Sequence, residues 1–340
     1  PKNTAAEKFI ADCLISFTIF YEMHKGFAPL SLCFCLNCDI ILSISVAMRI
    51  LRHYFEEEKM KIKITSDSTC DLGKELITRY DIGITPLSVI LGDKVYTDGV
   101  DITPQQIFDY VAQTGKLPKT AACTEEAYAD YFSKFLSGND AVIHFDISSK
   151  ASVTYQNACA AAKRFKGKVK VVDSLALSTG QGLLVLKACD LAEAGKSPDE
   201  IVKTVEALRS KVNTSFVPDS LEYLHKGGRC SLAALMGAKV LKLHPMIEMA
   251  DGQLFASKKY MGNLTRSLKN YVNDLVTEYP RYDKTRCFIT HSSCEKEVVD
   301  MVRGMVESLF SFDEIHETVA GGVITGHCGK NTLGVLFISE

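Results

Sequence analysis

The chain has 340 residues, of which 46% are hydrophobic and 24% charged, and its formal net charge is -2. That length fits about two domains, and the composition excludes bulk disorder or a fibrous chain. The near-zero charge leaves no global basic field, so nucleic acid is not expected as a partner.

The opening stretch differs from the rest. Residues 1–59 carry long apolar runs, Phe9–Tyr21, Phe27–Leu36 and Ile40–Leu51, and end in Glu56-Glu57-Glu58-Lys59. No run reaches the roughly 18–20 uncharged residues of a spanning helix, so stable membrane insertion is not expected. The basic start and single apolar core of a secretory signal are also missing. Cys33, Cys35 and Cys38 form a C-x-C-x-x-C cluster, but a metal would want a fourth ligand at suitable spacing, and incidental cysteines are the simpler reading. Residues 1–59 are therefore taken as an extension outside the fold. The twelve cysteines read as thiols of a reducing cytoplasm rather than a disulfide framework.

From Met60 the text becomes that of an α/β protein. Lys61–Thr65 reads as a strand closed by Ser66-Asp67-Ser68, and Asp71 as the cap of a helix Leu72–Tyr80. Ile84–Leu91 is an apolar β-branched run. Thr103-Pro104 opens a helix over Gln105–Gln113, and Ala127–Leu136 is amphipathic. Ala141–Ile147 reads as a buried strand, Ser152–Ala162 as a helix, Val169–Val172 as a strand, and Gly182–Ala194 and Pro198–Lys211 as helices. Strand followed by helix argues a parallel sheet over residues 60–215.

Residues 216–340 mix differently. Leu221–Lys226 precedes Gly227-Gly228-Arg229, Ser231–Gly237 reads as a helix, and Lys239–Leu243 as a short apolar stretch. Met246–Met249 and Leu254–Lys258 suggest a hairpin. Leu264–Glu278 and Glu295–Phe310 read as helices; Arg286–His291, Glu314–Val319 and Leu333–Ile338 read as strands. This is expected to be an α+β domain with a more antiparallel, mixed sheet.

Hydroxyl-rich turns recur where strands of the first domain end: Ser66 to Thr69, Thr120, Ser148-Ser149 with Ser152 and Thr154, and Ser174 with Ser178. Each alone could be a helix cap. Together they would suit an anionic group beyond the carboxyl ends of a parallel sheet. Gly180-x-Gly182 is not a dinucleotide fingerprint, no nucleotide-binding loop is present, and no Gly-x-Ser-x-Gly elbow places a nucleophile. His144 reads as a satisfied core residue. His225 and His244 could be surface or site residues. Arg229, after two glycines and among apolar neighbours, wants an anionic partner, either a ligand or a structural carboxylate such as Glu222.

Six segments in order carry a resemblance: ITSDSTCDL, PKTAACT, ISSKASVTYQNA, VVDSLALSTGQG, LEYLHKGGRCS and GHCGKNTLG. Residues 60–340 resemble the DegV family of fatty-acid-binding proteins. The resemblance implies two α/β domains with a long-chain fatty acid between them. Thr120, Ser149 and Ser152 are then head-group hydroxyls, with Arg229 and His327 nearby. It implies a carrier rather than an enzyme, with no metal and no cofactor, which presents the bound acid to the catalytic subunit of a separate fatty acid kinase for acyl-phosphate formation. An acyl-ester hydrolase or acyltransferase using His327 and a nearby Ser is the alternative. Lys258 and Lys259 could form a basic lip or simply a solvated hairpin edge. The chain departs from the family pattern at Ala121, Ala122 and Cys123, at Val153, and at Lys330-Asn331, all close to the expected head-group site.

Overall fold

Ile62–Asp67 forms β1, and Asp67 caps the 3-10 turn Ser68–Cys70 by accepting the Thr69 N–H. The structure, a computed structural model, describes residues 60–229 and 243–340, within one unit spanning Met60–Glu340. The C-x-C-x-x-C cluster and the elements expected at 231–242 lie outside the described residues. Helix α1 (Lys74–Arg79) starts from Gly73, so Asp71 does not cap it. Asp71 instead stands in the left-handed region at φ 50°, which turns its side chain away from the helix. Pro86 divides the expected run into β2 (Gly83–Thr85) and β3 (Ser88–Leu91), since proline offers a ladder no N–H. β4 (Lys94–Thr97) folds back on β3.

Thr103 caps α2 (Pro104–Thr114) through a reciprocal bond with Gln106. β5 (Lys119–Ala121) pairs with β3 on its other side, and α3 (Glu125–Leu136) follows from its cap, Thr124. Every residue of β6 (Ala141–Asp146) is buried, the mark of a parallel strand covered on both faces. Helix α4 (Thr154–Ala162), β7 (Val169–Asp173), α5 (Thr179–Glu193) and α6 (Pro198–Leu208) complete the alternation. The parallel sheet runs β2-β1-β6-β7, while β4-β3-β5 form a small separate sheet.

The second half begins with β8 (Val212–Asn213), β9 (Ser215–Val217) and the short α7 (Glu222–Lys226). A hairpin follows, β10 (Leu243–Ala250) and β11 (Gln253–Met261), turning on Asp251-Gly252. Then come α8 (Leu264–Glu278), β12 (Tyr282–Ser292), α9 (Lys296–Leu309), β13 (Glu314–Val319), α10 (Gly322–Cys328) and β14 (Thr332–Ser339). The resulting sheet is mixed, in the order β11-β10-β9-β14-β12-β13, with β8 pairing beside β14. Among the described strands, only β12 and β13 are parallel neighbours in it. The expected combination of a parallel sheet with a mixed, largely antiparallel one is what the chain forms.

Helix α5 explains how the two sheets are held. Leu183, Leu184, Val185 and Leu186 are four consecutive buried residues, which no one-sided amphipathic helix would show. The helix packs on β1 and β6 of the parallel sheet and on β8, β12 and β14 of the mixed one. It is a shared layer, and the core around it joins Ile64, Phe145 and Val172 to Phe288 and Leu336. Helices α8 and α9 cover the far face of the mixed sheet. Helices α3 and α4 cover the far face of the parallel one. His144 sits inside the core, with Nδ1 2.8 Å from Thr65 Oγ1 and Nε2 3.3 Å from Asp146 Oδ1, as a satisfied core histidine should. Among the described residues, no helix is long and apolar enough to cross a membrane.

Candidate functional site

Where the sheets meet, one apolar cluster draws on every neighbouring element. It joins Ile147 and Leu177 beyond the ends of β6 and β7 to Phe216 of β9, Leu224 of α7, Ile247 of β10 and Ile324 of α10. Met249, Leu254 and Ala256 of the hairpin pack on its rim. The hairpin tip closes against the end of β6, where Ser148 Oγ donates to Gly252 O at 2.7 Å. Gly252 has φ 79°, and a Cβ there would stand 2.5 Å from Ser148 Oγ, so this approach requires glycine. Beside the cluster lies a cleft with about 350 Å³ of empty space, counting its open mouth, lined by apolar residues such as Leu177, Phe216, Ile324 and Leu336 and by polar ones, among them Ser178, Ser215, Thr290, His291 and Ser292.

The polar end of this region is made by two residues far apart in the chain. Thr120 on β5 and His327 on α10 meet with Oγ1 3.0 Å from Nε2. Burial, and then the charge of Arg229, push the His327 pKa down to about 4, so the ring is neutral near pH 7. Its Nδ1 is buried and has no hydrogen-bond partner among the described residues. When Nε2–H donates to Thr120, the threonine hydroxyl proton is free to point at an anionic oxygen. His327 meets a threonine hydroxyl here and not a serine.

Arg229 is exposed. It donates to the carbonyls of Gly227 at 2.5 Å and Ala151 at 3.5 Å. The second bond carries it to the turn that holds Ser149 and Ser152. Ser149 is half-buried, and its N–H donates to Asp173 Oδ1 at 3.1 Å. Ser152 Oγ accepts the Thr154 N–H at 3.3 Å in a local turn just before α4, whose N-cap position is Val153. Thr120 and His327 thus touch directly, while Arg229 bonds the serine turn and reaches His327 only through its charge. Glu222 is engaged by Lys226. The basic lip is reduced by half, because Lys258 pairs with Asp274 at 2.9 Å and with Glu278.

Two functional candidates escaped the reading of the sequence. Asp71 and Asp98 are 7% and 2% exposed and accept backbone N–H bonds at the start of α10, from Gly321 at 2.8 Å and Gly322 at 2.7 Å. Burial is the main cause that raises both pKa values, Asp71 to about 8. The available signal was the pair Gly321-Gly322, which marks a close backbone approach. Among the described residues, no group of three or more His, Cys, Asp and Glu side chains could hold a metal ion.

A parallel sheet and a mixed sheet sharing one helix layer, with a partly buried Thr–His pair and an adjacent cleft, define a mixed α/β architecture. Residues 61–340 match the family described as uncharacterised protein, DegV family, and the chain belongs to that family. A DegV domain-containing protein of Clostridium acetobutylicum is 32% identical over 281 residues, covering 82% of this chain and 99% of the relative. The fatty-acid-binding DegV family protein of Thermus thermophilus superposes with a TM-score of 0.75 at 30% identity, over 83% of this chain and all of that one. A stearic-acid-binding protein of Eubacterium ventriosum gives 0.70 at 28% identity, over 82% and 98%.

Proposed function

We propose that this chain binds one long-chain fatty acid, with the carboxylate at Thr120 and His327 and the acyl chain along the cluster of Ile147, Leu177, Phe216, Ile247 and Ile324. The observation that carries this reading is the Thr120–His327 pair, which leaves the Thr120 hydroxyl proton free and stands on the same short helix as Ile324 and Cys328, two residues that line the cleft. Arg229 supplies a charge felt at His327, and Ser149 and Ser152 line the turn it reaches. Burial is worth about 0.8 kcal/mol per CH₂, so a chain of about sixteen carbons gains on the order of 10 kcal/mol before ordering costs. The head group has only to fix direction. The Thermus and Eubacterium relatives, described as fatty-acid-binding and stearic-acid-binding, support this ligand class.

On this reading residues 60–215 and 216–340 act as the two halves of a carrier. The carrier performs no chemistry of its own and presents the acid to a separate kinase. Delipidated protein titrated with palmitate in a calorimeter should bind one equivalent, and native mass spectrometry should show the same complex. Failure to bind palmitate would overturn the carrier reading, and turnover of an acyl ester that disappears in His327→Ala would replace it with an acyl-transfer enzyme.

A further inference from the structure

Helix α10 lies between β13 and β14 in the chain, so by connectivity it belongs to the mixed sheet. Its packing neighbours are nevertheless α2, β3, β5 and the 3-10 turn of the first half, together with α7. A short helix displaced in this way needs anchoring, and both of its ends are pinned. At the start, Gly321 N–H donates to Asp71 Oδ1, and Gly322 N–H and Val323 N–H donate to Asp98 Oδ1, the last at 3.4 Å. The second oxygen of each carboxylate is fixed elsewhere in the first half. Asp71 Oδ2 accepts from Ser178 Oγ at 2.6 Å, and Asp98 Oδ2 from Ser68 Oγ at 2.7 Å. Ser68 Oγ in turn accepts the Leu87 N–H. At the other end, a Cβ on Gly326 would stand 2.9 Å from Pro118 Cγ, two residues before Thr120.

We propose that Asp71 and Asp98 are positioning residues, which fix α10 along its axis and so hold His327 at bonding distance from Thr120 for the ligand head group. This rests on the fatty-acid reading above. Seven residues of helix are a lever of about 10 Å, and a slide of 1 Å at its start would break a 3.0 Å bond at its end. Helix capping alone does not account for the arrangement. An exposed Ser or Asn caps a helix equally well, whereas drying two neighbouring acids opposes folding. The raised Asp71 and Asp98 pKa values record that opposition. The glycines leave no slack either, since a Cβ on Gly322 would stand 3.0 Å from Asp98 Oδ1 and 3.2 Å from Val89 and Ile102.

The test is a double-mutant cycle on palmitate affinity, measured by calorimetry with the full chain. Asp98→Ala alone is expected to weaken palmitate binding about tenfold, and Asp98→Asn, which keeps the acceptor oxygen, to restore most of it. In a His327→Ala background, Asp98→Ala is expected to change affinity by less than twofold, because the side chain it positions is already gone. If the tenfold loss persists in that background, or if neither Asp98 variant changes affinity, the positioning role is overturned. Should Asp98→Ala fail to fold, Gly326→Ala pushes the far end of α10 off Pro118 with both carboxylates intact, and the same dependence on His327 is expected. A loss in Gly326→Ala that is independent of His327 also overturns the proposal. Wild-type protein that binds no palmitate overturns the fatty-acid reading itself, an outcome distinct from wild type that binds while the variants show no coupling.

Discussion

Arg286 and His327 each tie one half of the chain to the other, but their surroundings are finished differently. The Arg286 guanidinium grips Asp190 of α5 at 2.6 and 3.0 Å, the Tyr80 hydroxyl at 2.6 Å and Glu314 of β13 at 3.3 Å. Those partners, above all Asp190, raise its pKa although burial opposes them. Among the described residues His327 has one hydrogen-bond partner and an unused ring nitrogen, and its pKa is depressed. A saturated cluster behaves as a fastener, because nothing in it remains to be satisfied. A cluster that leaves a buried atom without a partner behaves as a receptor. The first should govern stability, and the second should govern ligand affinity.

Breaking the fastener is the largest expected effect. Arg286→Met strands the partly buried Asp190, while Glu314 keeps Arg79 and His316; it should cost about 3 kcal/mol, seen in the urea midpoint, while palmitate affinity stays within twofold. A large affinity loss there would erase the distinction. Acid should then act on the receptor. The His327 pKa lies below its unfolded value, so its contribution to stability is fully present above about pH 6.5 and is lost as the pH falls through about 4. Between pH 7 and pH 5 this amounts to roughly 2 kcal/mol, and His327→Gln should flatten that part of the stability curve. Asp71 pulls the other way, because its raised pKa gives a contribution present below the unfolded value and lost as the pH rises through about 8. The comparison must therefore be made against the variant and not read from wild type alone. Near neutral pH, His327→Ala should lower palmitate affinity by about 1.5 kcal/mol, roughly tenfold, with the urea midpoint hardly moved. The smallest effect is expected from Arg229→Ala, about fivefold in affinity and shrinking with added salt, as befits an exposed charge.

The parts that could be read from residues alone were those decided by local pattern. Leu264–Glu278 and Glu314–Val319 form over the expected bounds, because a long amphipathic stripe and a β-branched run need no help from distant chain. Helix α10 was missed, since seven residues with two glycines and a histidine have little intrinsic helicity and fold only against α2 and β5. Helix α5 was begun too late, at Gly182, because its opening glycines look like loop. They are there for close packing, Gly180 against Thr214 and Gly182 against Leu72 and the Cys70 carbonyl. Thr120 and His327 were identified through the family resemblance, and their meeting spans 207 residues. The reach from Asp71 to Gly321 spans 250, which no local spacing rule can anticipate.

The position of β14 bears on how such a protein is made. This strand sits in the middle of the mixed sheet, between β9 and β12, and the Asn213 side chain bonds Val335 O across 122 residues of chain. At a synthesis rate of ~5–20 residues per second, β9 waits roughly 6–24 s for its neighbour to leave the ribosome. During that interval the parallel sheet can already be complete, yet α5 has one face uncovered and His327 has not arrived. The nascent chain therefore offers a greasy helix before it offers a receptor. A chaperone that attends its birth would find Leu183–Leu186 exposed until β12 and β14 arrive.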